Sequence, residues 1–135
     1  MIPITSVMTK EVFTVKESTS IYEAMALLTE HKISGLPVVD DDMNITGILS
    51  EKDVLRILLD HRAAVNDTVS QYMSTQIVSF PDTADAIEIC QFFVKSNIRR
   101  VPIARNGKLV GIVSRRDIVA LIIEAKDKLS QQRFH

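Results

Sequence analysis

The sequence predicts an α/β fold of the α+β kind, made of two pseudo-twofold-related β-α-β-β-α repeats packed as one module. The first observation is that residues 47–53 return as residues 111–117: each stretch has a Gly, two branched apolar residues, a Ser, two charged residues and an Asp. The second is that the surrounding chain repeats in the same order, with Pro37 matching Pro102. An internal repeat of this kind predicts two copies of one structural unit.

The repeat sets the expected domain boundaries. We expect the first repeat at residues 1–64 and the second at residues 65–135, the latter ending in a short polar tail from about Lys126. A unit of this size buries little of its sheet alone, so the two copies are expected to pack face to face. Such packing brings equivalent loops of the two copies to a shared cleft.

Each copy begins with a short strand-like run and a helix. Residues 12–15 and 77–80 are rich in Val, Ile and Phe, which favour strands. Ser20 and Asp85 each stand three residues before a Glu, a pattern typical of a helix N-terminus. Apolar residues then recur at helical spacing, at Ile21, Ala24, Met25 and Leu28 in the first copy and at Ala86, Ile89, Cys90 and Phe93 in the second.

Each copy ends with a hairpin and a second helix. Residues 36–39 and 101–104 each contain a Pro, which suits the start or the edge of a strand. Asn106-Gly107 is typical of a tight hairpin turn, and residues 40–44 are expected to turn as well. The return strands are predicted at residues 45–49 and 109–113, and the last helices from about Asp53 to Ala63 and from about Asp117 to Lys126.

The composition argues against several functions. The chain has 135 residues, 46% of them hydrophobic, and a net charge of −1, so neither nucleic acid nor an anionic membrane is an expected partner. Cys90 is the single cysteine, which excludes an internal disulfide and zinc sites of the Cys-x-x-Cys type. No catalytic or metal-binding motif is found, and no apolar run is long enough for membrane insertion. These features predict a cytoplasmic protein that is not an enzyme and has no metal site.

The doubled element order, the Pro-containing strands and the two Gly-x-x-Ser-x-x-Asp stretches resemble a tandem pair of CBS domains, a Bateman module. The resemblance covers almost the whole chain. It implies a module that binds adenosine-containing ligands such as AMP, ADP, ATP or S-adenosylmethionine and changes its shape or assembly in response. The ligand is then a regulatory one, and no cofactor is required.

The resemblance also implies two ligand positions, each combining residues of both copies. It assigns the Asp of each motif to the ribose hydroxyls, beside a helix N-terminus that favours anions. The first position would comprise Thr14, Thr19, Ala24, Ser34, Gly35, Arg99, Arg100, Ser114, Arg116 and Asp117. The second would comprise Ser79, Ala84, Ile89, Lys32, Ser50 and Asp53, with the backbone of Arg99 and Arg100.

The two positions are not expected to be equal. The motif with Asp117 is accompanied by Arg99, Arg100, Arg115 and Arg116. The motif with Asp53 is accompanied by Lys32 and Lys52, but also by Glu51 and an acidic run at residues 40–42. Arginines suit phosphates because they make bidentate contacts, so stronger nucleotide binding is predicted at Asp117. Two alternatives remain open: Ser-x-x-Asp is also a helix cap that needs no ligand, and the arginine pairs also suit a solvated surface.

The features together predict a regulatory module that signals to an unknown protein in trans, because the chain has no room for a fused enzyme. Apolar helix positions at residues 54–58 and 118–122 favour a homodimer. The alternative is a structural CBS dimer that binds a partner without a nucleotide. Ala84 and Arg99, which depart from the first copy, leave that alternative open.

Overall fold

The structure is a computed structural model that describes residues 1–60 and 65–133. The helices are α1 (Ile21–Glu30), α2 (Glu51–Leu59), α3 (Ala86–Lys95) and α4 (Arg115–Arg133). The strands are β1 (Gly35–Val39), β2 (Ile45–Ser50), β3 (Phe80–Pro81), β4 (Arg100–Arg105) and β5 (Lys108–Ser114). This confirms the predicted α+β class. The predicted end of the second helix, Ala63, lies outside the described residues.

Two antiparallel hairpins, β1–β2 and β4–β5, form the centre of the two copies. Gly35 pairs with Ser50 in the first hairpin, and Arg100 pairs with Ser114 in the second. Each hairpin therefore ends beside the Ser of its motif, and the following helix begins at the next residue.

The hairpin turns follow their sequences. Asn106 and Gly107 have φ angles of 54° and 79°, the left-handed pair that Asn-Gly predicts. In the other turn the Asp40 carboxylate accepts hydrogen bonds from the backbone N–H groups of Asp42 and Asn44 and from the Asn44 amide. The Asn44 side chain is the main reason that the pKa of Asp40 lies below its usual value. The acidic run is thus an exposed, hydrogen-bonded turn.

The first strand of each copy is much shorter than predicted. Val15 makes a single parallel bridge to Val38, and β3 has two residues. Val15 donates to Pro37 and accepts from Val39. The next bond of such a parallel ladder would need a backbone N–H from Pro37, which proline lacks. Pro102 has the same effect beside β3, so the prolines that mark the hairpins also shorten their neighbours.

The last helix is longer than predicted. α4 begins at Arg115 and continues to Arg133, so the expected polar tail is helical as far as the structure describes it. The sequence after Asp117 contains no Gly or Pro to end the helix. Lys128 and Glu124, one turn apart, form an ion pair at 3.2 Å that supports the exposed segment.

The N-terminal segment of each copy crosses to the other copy. Thr9 exchanges two backbone hydrogen bonds with Ile112 of β5, at 2.8 and 2.9 Å. Ser74 does the same with Ile48 of β2, also at 2.8 and 2.9 Å. Each hairpin thus gains an extra edge partner from the other copy, and the two copies are joined reciprocally.

The two hydrophobic cores are shared in the same way. Ile4, from the first copy, is fully buried in the core formed by α3, β4, β5 and α4. Val69 and Tyr72, from the second copy, are buried in the core formed by α1, β1 and β2. Each core therefore depends on a segment that belongs, by the repeat, to the other copy.

The Tyr72 side chain, buried in the first core, makes a hydrogen bond whose contribution to stability depends on pH. Its hydroxyl donates to the Asp67 carboxylate at 2.5 Å, which is the main reason that the pKa of Tyr72 is raised to about 12. Because that pKa lies above the ordinary value of 10.0, its stabilisation is complete below pH 10 and is lost as the pH rises towards 12. In denaturant unfolding, the stability advantage of wild type over Tyr72→Phe should therefore disappear across this interval. An advantage that persists at high pH would contradict the assignment.

Candidate ligand-binding site

A cleft of about 580 Å³ lies between the two copies at the N-terminus of α2. Its lining consists of residues 34–37, Ile48, residues 50–53, Leu55, Ser74, Gln76, Val78, residues 97–100, Pro102 and Ile112. One wall comes from the first hairpin and α2, and the other comes from the crossing segment and the loop before β4. A cavity of this size with apolar walls and a few convergent polar groups is typical of a small-molecule site.

Ser50 and Asp53 occupy the cleft as the cap of α2. The Ser50 N–H donates to Asp53 Oδ2 at 2.9 Å, and the Asp53 N–H donates to Ser50 Oγ at 3.2 Å. This reciprocal pair is a capping box, which confirms the capping interpretation of the motif. The other carboxylate oxygen of Asp53 accepts no hydrogen bond from the residues that the structure describes. The cap thus orients the side chain and leaves one oxygen for a ligand.

Ser114 and Asp117 form the same cap on α4. The Ser114 N–H donates to Asp117 Oδ2 at 2.8 Å, and the Asp117 N–H donates to Ser114 Oγ at 3.2 Å. The Ser114 hydroxyl also donates to Asp117 Oδ2, at 3.0 Å. Neither residue lines the 580 Å³ cleft.

The basic residues are not grouped around Asp117 as the sequence predicted. Lys52, Arg99 and Arg100 line the cleft with Asp53. Arg115 instead donates from Nε to the Ile98 carbonyl at 3.2 Å and from Nη2 to the Ser96 carbonyl at 2.6 Å. These carbonyls follow the C-terminal end of α3, where a cation is stabilising. Arg115 therefore holds the loop before β4 in place.

The guanidinium of Arg100 is the least solvated of these cations. Burial is the main effect on its pKa, which it lowers, while the charge of Asp117 acts in the opposite direction. Its Nε atom is buried and has no hydrogen-bond partner among the described residues. A buried donor without a partner is costly, so a rotation of the side chain that brought Nε to an anion would be favourable.

The structure brings together only part of each predicted residue set. Ser34, Gly35, Arg99 and Arg100 of the first set line the cleft, as do Ser50 and Asp53 of the second. The remaining residues of the first set lie away from its lining: Thr14, Thr19, Ala24, Ser114, Arg116 and Asp117. The same holds for Ser79, Ala84, Ile89 and Lys32 of the second set. One cleft thus contains residues from both predicted positions.

Three of the predicted site residues lie in the hydrophobic cores. Ala24 and Ile89 are 0% exposed and Ala84 is 4% exposed. Ala24 belongs to the first core, and Ala84 and Ile89 belong to the second. Thr19 has a structural role too, because its hydroxyl oxygen accepts a hydrogen bond from the Lys16 N–H at 2.9 Å. The structure gives these residues packing or turn contacts, and none of them faces the cleft.

Several lining residues were missed by the sequence analysis. Ser74, Gln76 and Val78 lie on the crossing segment, and Asn97 and Ile98 precede β4. A signal was present for Ile98, which matches Ile33 in the repeat just before the Pro-containing strand. Ser74 and Gln76 carried no local signal, because their place in the cleft depends on pairing with β2.

In the first copy, an aromatic pair occupies the position that matches Val78. Val78 lines the cleft, and its match in the first copy is Phe13. The Phe13 ring stacks on His31 with ring centroids 3.8 Å apart and an interplanar angle of 17°. The two pseudo-twofold-related positions therefore differ in shape.

The CBS domain family model matches the chain twice, at residues 4–60 and 69–124. The matches cover most of the chain, which therefore belongs to the CBS domain family and carries two copies of the domain. The resemblance predicted from the repeated motifs is confirmed.

Known relatives share this arrangement. The chain is 28% identical over 120 residues to the uncharacterized protein MJ1225 of Methanocaldococcus jannaschii, covering 89% of this chain but only 42% of that protein. CBSX2, solved in complex with AMP, has a TM-score of 0.84 and 27% identity over 93% of this chain and 99% of its own. The CBS pair of MJ0100, solved with 5′-methylthioadenosine and S-adenosyl-L-methionine, has a TM-score of 0.78 and 25% identity over 90% and 96% of the two chains. The fold is thus that of a CBS pair.

Two other kinds of site are not found within residues 1–60 and 65–133. No group of His, Cys, Asp or Glu side chains there is arranged to hold a metal ion. No helix in the same residues has the length and apolar character needed to span a membrane.

Proposed function

We propose that this chain is a regulatory module that binds an adenosine-containing ligand, of the AMP, ADP or ATP class or S-adenosylmethionine, in the cleft at Asp53. The observation that carries the proposal is that one cleft combines a capped carboxylate with an unused oxygen, three basic side chains and apolar walls. Adenosine ligands present matching chemistry. Two CBS pairs of the same fold, CBSX2 and that of MJ0100, were solved with such ligands.

Each part of the ligand has a counterpart in the cleft. The unused oxygen of Asp53 suits two ribose hydroxyls, since a carboxylate accepts both donors. Arg99, Arg100 and Lys52 suit phosphates, and the N-terminal end of the α2 dipole adds a partial positive charge. Ile48, Leu55, Val78 and Ile98 supply apolar surface for the adenine ring.

The Asp117 position is proposed as a second, weaker site. The preference for it rested on four neighbouring arginines, of which Arg115 binds backbone carbonyls while Arg99 and Arg100 line the cleft with Asp53. The stacked rings of Phe13 and His31 also change the shape of the first copy at this place. We therefore assign the first ligand to Asp53.

The output of the module is proposed to be a change in assembly or in a protein partner in trans, without catalysis. Val54, Ile57 and Ile118 pack on the cores, but other apolar residues of α2 and α4 remain outside: Leu55, Leu58, Val119 and Ile122 are 66%, 89%, 53% and 59% exposed. Apolar helix faces of this kind suit a homodimer. They equally support the alternative of a structural CBS dimer that uses no nucleotide.

Thermal unfolding with and without ligand tests the proposal and separates it from the alternative. AMP at 100 times its dissociation constant should stabilise the protein by about 2.7 kcal/mol, with GMP as the control nucleotide. The measurement is repeated at two protein concentrations, because a dimer makes the Tm concentration-dependent. A Tm that rises with protein concentration but not with AMP, ADP, ATP or S-adenosylmethionine would reject ligand binding and favour the structural dimer.

A further inference from the structure

Arg100 has no side-chain counterpart in the first copy. It pairs with Ser114 across the second hairpin, and the matching residue of the first hairpin is Gly35, which pairs with Ser50. A Cβ on Gly35 would lie 3.2 Å from the Leu49 carbonyl oxygen, so this place is crowded. The two copies therefore provide one arginine at this pair of matching positions, whereas two equal ligand sites would each need an arginine of their own.

The position of Arg100 connects the two motifs. Its backbone lies beside Ser114, which is hydrogen-bonded to Asp117, while Arg100 itself lines the cleft that contains Asp53. Asp117 and Glu51 both attract its charge, and Arg116 repels it. Among the described residues, no ion pair ties its guanidinium to a carboxylate. The guanidinium is thus attracted by one carboxylate from each motif, Asp117 and Glu51, and no ion pair among the described residues holds it.

The hydrogen bonding of Arg100 leaves room for a ligand. Its buried Nε has no partner within the part of the chain that the structure describes, although a guanidinium has five N–H donors. Phosphate is the anion that suits this planar fork best, because it accepts two parallel hydrogen bonds. A phosphate in the cleft would therefore draw Arg100 towards Asp53 and away from Asp117.

We propose that the two ligand positions share Arg100, so that a phosphate bound at Asp53 removes the cation that balances Asp117. The inference rests on the proposed function and deepens it. Binding at the two positions is then negatively coupled for phosphate-bearing ligands, since two anions compete for one cation. The Asp117 position is left to adenosine ligands without a phosphate, and the module holds one nucleotide phosphate tightly.

Site-resolved titrations with AMP and with adenosine test this sharing. Methyl NMR signals of Ile48 and Val78, which line the cleft, report binding at Asp53. Arg100→Met, which keeps the aliphatic stem, should weaken AMP binding roughly tenfold and leave adenosine binding unchanged. Asp117→Asn, which keeps an oxygen for the cap, should strengthen AMP binding at Asp53 roughly fivefold by freeing Arg100. In the Arg100→Met background the same substitution should have no effect.

The controls separate this proposal from a structural role and from failure of the proposed function. Asp127→Asn removes one negative charge from exposed α4 far along the helix and should not alter AMP binding. Equal losses of AMP and adenosine binding in Arg100→Met would overturn the proposal, as would an Asp117→Asn effect that persists without Arg100. If wild type binds neither AMP nor adenosine, both the function and the sharing are rejected. If wild type binds AMP and adenosine, but Arg100→Met and Asp117→Asn show no coupling in their effects on AMP binding, only the sharing of Arg100 is rejected.

Discussion

Asp53→Ala is expected to weaken AMP binding by more than tenfold. The substitution removes the unused carboxylate oxygen of a residue that lines the cleft, and with it the two charge-assisted hydrogen bonds proposed for the ribose. Losing such bonds costs about 2 kcal/mol, and each 1.4 kcal/mol corresponds to a factor of ten in the dissociation constant. Isothermal titration calorimetry with AMP, at matched protein concentrations, measures the change.

Asp117→Ala is the matched control for this substitution, because Asp53 and Asp117 cap α2 and α4 in the same way. Each change removes one of the two hydrogen bonds of a capping box and leaves the Ser side-chain cap, so the two variants should lose similar stability in thermal unfolding. Their AMP binding should differ, because Asp53→Ala should weaken it and Asp117→Ala should not. A larger loss in Asp117→Ala would restore the preference that the sequence predicted. Similar affinities in wild type and both variants would mean that the motifs act as caps alone.

The hairpins and helix starts were predictable because their determinants are local. Asn106-Gly107 requires two left-handed φ angles, and the structure has them. Ser20 and Asp85 accept hydrogen bonds from the N–H groups of Tyr22 and Ile87, as helix N-caps should. Each of these features involves residues within a few positions of one another, so the sequence specifies them without reference to the rest of the fold.

The crossing of the N-terminal segments was not predictable in the same way. Thr9 bonds to Ile112, and Ser74 bonds to Ile48, which are distant in sequence and carry no pairing pattern of their own. The short runs before α1 and α3 gave the pattern of full strands, but the prolines opposite them remove the donors that a longer ladder needs. The walls of the cleft formed by Ser74 and Gln76 therefore appeared only with the tertiary structure.

The candidate site shows which parts of a resemblance need a structural check. The Ser and Asp of each motif lie at helix starts, where the motif places them. Ala24 and Ile89, in contrast, belong to the helical apolar stripes that already predict burial, and both are fully buried. The ligand role that the resemblance implies for these two residues stays a prediction. Arg115 illustrates the same limit, since its role depends on where α3 ends.

Gly111→Ala is expected to lower the free energy of unfolding by about 2 kcal/mol, within the range for overpacking a tight contact. A Cβ at Gly111 would lie 2.5 Å from Met8 Sδ and 3.1 Å from the Thr9 carbonyl oxygen. The methionine can move, but the Thr9 carbonyl accepts a hydrogen bond from Ile112 at 2.9 Å. The crossing segment therefore cannot shift without breaking its pairing. Chemical denaturation followed by circular dichroism measures the loss.

A double-mutant cycle of Gly111→Ala with Met8→Ala separates two contributions to this loss of stability: the clash with the Met8 side chain and the clash with the Thr9 carbonyl. We expect most of the loss to persist in the double variant, because the Thr9 carbonyl remains; a neutral Gly111→Ala in that background would assign the cost to Met8 alone.

Gly47→Ala, whose Cβ would lie 3.0 Å from the Ser74 carbonyl oxygen, should be similarly destabilising. Gly47→Ala should weaken AMP binding more than Gly111→Ala, because it displaces Ser74, which lines the cleft beside Asp53, whereas the Thr9 contact of Gly111 reaches the cleft only through Ile112. Equal effects of the two glycines on AMP binding would contradict the placement of the ligand at Asp53.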